Sequence, residues 1–409
     1  GEPLTAATTV SGAFTGVPFN ALVRLTGRLP PFTSTLVVGG DWSLAAAPRL
    51  NGAINLRRER GDWYGTDAAE LDAANLALGI SELSVSTRFV DDALTGTARF
   101  RSARAGNADA LVKLAAGPEP GRIATGAALD ATLTADLASL KPLQPWLGTA
   151  AVVDGRARVE LTARGTLGEP VFGGTLAGDA LRFDLPQYGV HLADGRLRAH
   201  VADRALVLDE LSLAGGEGRF TARGTLLRAA AGPRDGGPRD GGRVEWNAKD
   251  FTLVNRPDLL LVADGDGTLA LENGRLVLAG KIDIDKGRVV YEATPVGRLS
   301  DDVVIVGQPR APAGGGVPDL PLALDVEVAF GRDFRFSGEG LETRLGGRVR
   351  VTTTPAGTLA ANGRIRAIAG TYYIFGQRLD IDRGQLIFDG PASNPALDIV
   401  AVRRNPTVE

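Results

Sequence analysis

From Glu272 to Tyr291 the chain reads ENGRLVLAGKIDIDKGRVVY. Leu276, Leu278, Gly280, Ile282 and Ile284 take every second position, and Val277, Ala279, Lys281, Asp283 and Asp285 fall between them. A period of two marks a strand with two unlike faces. Two sets of turn residues bracket it: Glu272-Asn273-Gly274-Arg275 before, and Asp285-Lys286-Gly287-Arg288 after. Asn-Gly and Lys-Gly pairs allow the positive φ of tight hairpins.

The same alternation returns along the chain. Ala157, Val159, Leu161 and Ala163 stand against Arg158, Glu160, Thr162 and Arg164. Leu197, Ala199 and Val201 stand against Arg196, Arg198 and His200, and Phe220, Ala222, Gly224 and Leu226 against Arg219, Thr221, Arg223 and Thr225. The string TARGTL occurs at Thr162–Leu167 and again at Thr221–Leu226, a loose supersecondary repeat. Toward the N-terminus, Ala21–Leu29 and Ser84–Phe89 read as extended. Helix signals are few. Ala108–Ala116 has room for two turns. Asp136–Leu147 starts on a capping Asp, spaces Leu137, Leu140, Leu143 and Leu147 helically, and is broken by Pro142 and Pro145, so it reads as a short helix plugging the sheet. Two stretches read as flexible loops: 232–242, a near-duplicate GPRDGGPRDGG, and the Pro- and Gly-rich 307–321. The expected organisation is therefore an N-terminal sheet over 1–135, the plug at 136–147, and the sheet continuing over 148–409.

Composition sets bounds. The chain has 409 residues, 44% hydrophobic but only 6% aromatic, so Ala, Val and Leu must supply most of the apolar surface. With 45 basic and 48 acidic residues well mixed, it has neither the footprint of a nucleic-acid binder nor a polybasic membrane patch. Zero cysteines exclude disulfides, thiolate metal sites and thiol chemistry. The densest apolar run, Leu259–Ala263, is far below the roughly 18 residues of a membrane span. With no methionine and Gly at position 1, the chain reads as a piece of a longer protein; any signal or anchor would lie upstream of it.

Catalytic and metal chemistry find little support. His191 and His200 are the two histidines and no G-x-S-x-G accompanies them, so a hydrolase using His191 with Asp194 is disfavoured. No phosphate-binding G-x-x-x-x-G-K-[ST] occurs. Asp264 with Asp266, Asp283 with Asp285, and Asp380 with Asp382 offer oxygens but not the full calcium set. Trp42, Trp63, Trp146 and Trp246 are too scattered for sugar platforms beside paired carboxylates. No catalytic residue, metal or cofactor is assigned.

The expected fold is all-β. Strands of eight to ten residues would number on the order of 25, and a flat sheet of that many would run roughly 120 Å. Its apolar face cannot stay open to water. A closed barrel of this size has a wide polar lumen, which leaves a filled solenoid or an elongated, curled sheet forming a lengthwise hydrophobic groove, a β-taco. Small interior side chains favour the groove and leave the filled solenoid open as the alternative. The residues of the apolar stripe are Leu276, Leu278, Ile282, Ile284, Val289 and Tyr291, joined in the C-terminal hairpins by Tyr373, Phe375, Leu379, Ile381, Leu386 and Phe388. By pattern alone such residues form ordinary core more often than a ligand groove.

Three C-terminal segments resemble the TamB family: KIDIDKGRVVYEATPVGRLSDDVVIVG (Lys281–Gly307), FGRDFRFSGEGLETRLGGRVRV (Phe330–Val351) and, most specifically, GTYYIFGQRLDIDRGQLIFDGPASNPALDIVAVR (Gly370–Arg403). In the last, Gly376, Gln377, Gly384, Gln385, Gly390, Pro391, Asn394, Pro395, Leu397 and Asp398 stand at the family's turn and strand positions. The resemblance runs from about Leu133 to the end. It implies an AsmA-like bridge protein of a diderm bacterium, anchored in the inner membrane and lying in the periplasm. It implies phospholipid carried along a β-groove, an Omp85-type outer-membrane partner, TamA, and assistance to outer-membrane protein assembly. It also reverses the preference between core and groove for the twelve stripe residues. Family members continue past the Asn-Pro strand toward TamA, so this piece is expected to bind lipid without docking that partner alone.

Overall fold

The computed structural model describes residues 8–24, 33–46, 48–64, 77–143, 151–202, 205–228, 241–272, 275–291 and 322–403. They are almost entirely strand, so the chain is all-β. It divides into two compact units, Gly1–Phe183 with Asp194–Glu210, and Asp184–Ala193 with Leu211–Glu409.

The first unit contains β1 (Thr8–Pro18), α1 (Phe19–Arg24), β2 (Thr33–Ser34), β3 (Val37–Ala46), β4 (Leu50–Arg60), β5 (Trp63–Tyr64), β6 (Ile80–Val90), β7 (Ala93–Ser102), β8 (Gly106–Leu114), β9 (Ala128–Leu137), β10 (Val152–Thr166) and most of β11 (Pro170–Leu185). β1-β3-β4-β6-β7-β8-β9-β10 pair in that order, every pair antiparallel. Directly paired residues share a face, so register converts the period of two into a surface. One row runs Leu56, Val85, Ala98, Ala110, Leu133, Leu161 across six strands. The row beside it runs Arg57, Ser84, Arg99, Asp109, Thr134, Glu160 on the other face. One end is closed by a compact cluster of Leu36, Val38, Leu78, Ile80 and Ala105, against which Phe14, Phe19, Trp63, Leu83 and Phe100 pack. Asp62 ties that end together by accepting the amides of Trp63, Gly79 and Ile80.

β12 (Val190–Ala202) and β13 (Ala205–Gly215) are divided between the units. The second unit continues with β14 (Gly218–Arg228), β15 (Arg243–Asn255), β16 (Leu259–Glu272), β17 (Arg275–Tyr291), β18 (Leu322–Gly338), β19 (Leu341–Thr353), β20 (Leu359–Ile374), β21 (Gln377–Pro391) and β22 (Ala396–Val402). Each pairs with the next in sequence. All these pairs are antiparallel except β17 with β18, which are parallel from Leu276 opposite Leu322 to Tyr291 opposite Gly338.

Several local expectations need correction. Ala108–Ala116 is not helical: residues through Leu114 form β8, because Ala108, Ala110, Val112 and Leu114 face Phe100, Ala98, Gly96 and Leu94, and that pairing overrides the helical preference of alanine. Ala21–Leu29 is not extended at its start, since α1 runs to Arg24, and 25–29 lie outside the described residues. Over Asp136–Leu147, Asp136 and Leu137 finish β9 and Lys141–Leu143 make one 3-10 turn; 144–147 lie outside the described residues. Asp285–Arg288 is not a turn. β17 runs straight through it, with Asp285 as one extra residue against β16, where Ala263 faces Ile284 and Val262 faces Lys286. The loop assigned to 232–242 is described only at Gly241 and Gly242, and that at 307–321 lies wholly outside.

Candidate functional site: the apolar face of the second unit

Register builds one continuous apolar face. Its central row is Phe220, Ala248, Gly265, Ile282, Val328, Val349, Gly363 and Phe388. The next is Phe251, Ala263, Ile284, Phe330, Gly347, Ile365, Leu386 and Leu397. Nearer the strand ends, Tyr291, Gly338, Leu341, Tyr372 and Leu379 stand side by side. The opposite face reads Asn247, Asp266, Lys281, Glu327, Arg350, Asn362 and Asp389 over the same strands.

Of the twelve stripe residues, Leu276, Leu278, Ile282, Ile284, Val289, Tyr291, Leu379, Ile381, Leu386 and Phe388 are brought together on the apolar face. Tyr373 is not. It pairs with Arg378 on the polar side, and Phe375 sits in the hairpin turn. The cause is one extra residue in β20. Arg344 pairs with Ala369 while its neighbour Leu345 pairs with Ala367, so Ile368 is skipped and the phase of alternation inverts after it. The sequence carries the signal, because Ala367-Ile368-Ala369 puts apolar residues at three successive positions.

Sequence reasoning passed over the aromatic residues that flatten this face. Phe334 lies over Gly287, where an added Cβ would stand 2.1 Å from its Cδ2. Trp246 lies over Gly265, Gly267 and Gly280 in the same way, at 3.2, 2.8 and 3.0 Å. Rings lie down because their cross-strand neighbours have no side chain. The Trp246 indole N–H has no hydrogen-bond partner among the described residues.

Packing on the face is local. Ala263, Ile284 and Phe334 form a buried cluster with Leu253, Leu261, Ile282, Val289, Val328, Phe330 and Leu345 around it, all from consecutive strands β15–β19. Phe330 and Phe334 meet edge to face at 4.9 Å. Away from that cluster the face opens, and Leu322 is 54% and Leu397 66% exposed. Leu276, Leu278, Ile282, Leu379, Ile381, Leu386 and Phe388 are half-buried.

The polar face is held by ion pairs across neighbouring strands. Arg350 grips Asp325 with two bonds of 2.7 and 2.8 Å, and that bidentate hydrogen bonding holds the Asp325 carboxyl below the usual carboxylate range. Arg348 meets Glu327 at 3.2 Å. Asp250, Asp264 and Asp285 converge closely enough to share an ion, but Lys249 already lies against Asp264 and the Asp250 amide donates to it. Burial pushes the Asp264 carboxyl up, yet those two donors outweigh it and its pKa is lowered. His191 pairs with Asp184 rather than Asp194, at 3.0 Å, and His200 with Asp209 at 2.8 Å. No described helix is long and apolar enough to cross a membrane.

A family model described as TamB C-terminal domain matches residues 209–409, the stretch that holds this face. Residues 209–409 are thus a TamB-family C-terminal domain. It is also similar to the translocation and assembly module subunit TamB of Haemophilus influenzae, 25% identical over 304 residues that make up 69% of this chain. The chain spans only 22% of that relative's length. The TamB-family motif recognised at Gly370–Arg403 maps onto the last three strands. Its Gly376-Gln377 is the β20–β21 hairpin, its Gly384 is buried within β21, and its Asn-Pro precedes β22.

Proposed function

We propose that the apolar face of the second unit holds phospholipid acyl chains and passes them between inner and outer membranes in the periplasm of a diderm bacterium. The chain would do so as one section of a longer TamB-family subunit, anchored upstream in the inner membrane and meeting TamA through segments beyond it. The observation that carries this reading is a register-aligned apolar face, nine strands wide, on which Ile284 is 7% exposed while residues toward its ends such as Leu397 reach 66%.

Each CH₂ left in water costs about 0.8 kcal/mol, and an unbroken aliphatic surface removes most of that cost along the whole path. Flattened rings and glycines keep the surface even. The head group stays in water at the margin. The charged rows on the other face keep the sheet solvated. Nothing in these residues supplies energy, so direction comes from partners or gradients.

Ile282→Asp and Leu379→Asp each set a carboxylate on this face, costing a few kcal/mol where it stays dry. Both variants are expected to remain folded by circular dichroism and to lose co-purifying phospholipid. A photo-crosslinker at Ile282 is expected to label acyl chains. Parent protein without bound lipid, together with a silent crosslinker, would refute the reading.

The name of the relative, a translocation and assembly module subunit, supports a second reading: a scaffold that aids outer-membrane proteins by β-augmentation. β22 favours it, since Leu397 and Ile399 on this last strand are 66% and 56% exposed. Here crosslinks should form from β22 to client peptides, and Ile282→Asp should be tolerated.

A further inference from the structure

Four exposed aromatic side chains collect at one end of the second unit. Tyr188 is 59% exposed, Tyr291 55%, Tyr373 49% and Phe375 95%. The end is common to them by register. β17 finishes at Tyr291, opposite Gly338, Leu341 and Tyr372 in turn, and β20 finishes one residue before Phe375. The Val290 amide donates to Asp258 O in the β15–β16 turn at 2.8 Å. Beside that turn, the Asn255 amide donates to Gly189 O, next to Tyr188, also at 2.8 Å.

Phe375 is the extreme case. It has φ 49° and the following Gly376 has φ 73°, the two positive values a tight type I′ hairpin demands. Asn, Asp and Gly take that place without strain, whereas a bulky aromatic there is an outlier. The fold thus holds a large apolar side chain in a disfavoured conformation and 95% exposed, as strained functional positions do.

About three residues, or roughly 10 Å, inward from this rim runs a row of like charges on the polar face: Arg288, Arg335 and Arg344 are direct cross-strand neighbours. Like charges placed so repel. Asp333 meets Arg335 at 2.9 Å, and among the described residues no carboxylate pairs with Arg288 or Arg344. An anionic surface in front of the row would relieve it at about one Debye length.

We propose that this rim docks on a bilayer, with Phe375 and the three tyrosines seated at the headgroup level and the arginine row facing anionic lipid phosphates. Tyrosine has an apolar ring and a wet hydroxyl, and arginines near an apolar edge suit a charged interface better than a protein pocket. The inference rests on the conduit reading and extends it to the point where lipid enters or leaves; of the conduit face it shares Tyr291 alone, and it fails separately.

The chain has no cysteine, so one introduced thiol gives a clean probe. Phe375→Cys labelled with an environment-sensitive fluorophore is expected to shift blue on mixing with vesicles of phosphatidylethanolamine and phosphatidylglycerol. The same label at Ala356→Cys, an exposed turn residue between β19 and β20 at the opposite strand ends, is expected to stay dark. Phe375→Asn restores the preferred hairpin residue, so it should melt no lower than the parent while binding vesicles about tenfold more weakly. Replacing Arg288, Arg335 and Arg344 by Gln should remove the preference for phosphatidylglycerol over phosphatidylcholine. Equal shifts at both labels, no shift at Phe375→Cys, or parental vesicle affinity in Phe375→Asn would overturn the proposal. Ile282→Asp should leave vesicle docking unchanged, which separates this result from loss of the conduit.

Discussion

Gly287→Ala isolates the contact that flattens the apolar face. Its backbone is not among the positive-φ glycines, so alanine meets no conformational penalty there. All of the cost is steric. The new Cβ would stand 2.1, 2.4 and 2.9 Å from Cδ2, Cε2 and Cγ of Phe334, so the ring must move by more than 1 Å to reach ordinary contact. Phe334 is 5% exposed and pinned by Ala263, Ile284 and Phe330. Overpacking of this kind costs about 1–3 kcal/mol, offset by up to about 1 kcal/mol from replacing a strand glycine. A net loss of about 1–2 kcal/mol lowers the melting temperature by roughly 2–8 °C in a unit of this size. The decisive assay is a double-mutant cycle with Phe334→Leu, melted by circular dichroism. Phe334→Leu alone should destabilise, and the pair should recover part of the sum, because the smaller side chain admits the methyl group. Strict additivity, or an unchanged melt for Gly287→Ala, would show that the ring does not lie on the glycine.

Further expectations concern the polar groups. Asp92 accepts the amides of Leu50 at 2.7 Å and Gly121 at 3.2 Å and meets Arg49, with its side chain 6% exposed; Asp92→Ala should cost about 2–4 kcal/mol in a denaturant titration. Asp325 has a folded pKa below its unfolded one, so its contribution is full above the ordinary carboxylate range and is lost as pH falls through the folded value. Asp325→Asn should therefore lower stability at neutral pH and flatten the acid limb of the pH profile. Because both partners are largely exposed, that difference should shrink in high salt.

Much of this was legible in the chain. Period-two spacing from Leu276 to Ile284 identified both the strand and its apolar side, and ten of the twelve stripe residues share the face. Failures arose where one residue more or less changes the phase. The bulge at Ile368 moved Tyr373 to the other side, and the bulge in β17 turned an apparent hairpin at Asp285–Arg288 into continuous strand. Periodicity is local, whereas a bulge is decided by the partner strand. The parallel pairing of β17 with β18 was invisible for the same reason, since nothing within either segment states the direction of its neighbour. The rings over glycines depend on cross-strand partners such as Trp246 and Gly267, far apart in sequence.

That single parallel junction divides the second unit kinetically. From β14 to β17 every strand pairs with its sequence neighbour in reverse direction, and from β18 to β22 the same holds. Each set can zip up turn by turn with small loop-closure entropy. Joining Tyr291 to Gly338 instead requires two ends separated by a long stretch of chain to find each other, a slow, non-local event. Two kernels should therefore form early and fuse late, leaving the facing edges of β17 and β18 transiently bare. Until the two kernels join, those edges are where the chain is most open to mispairing.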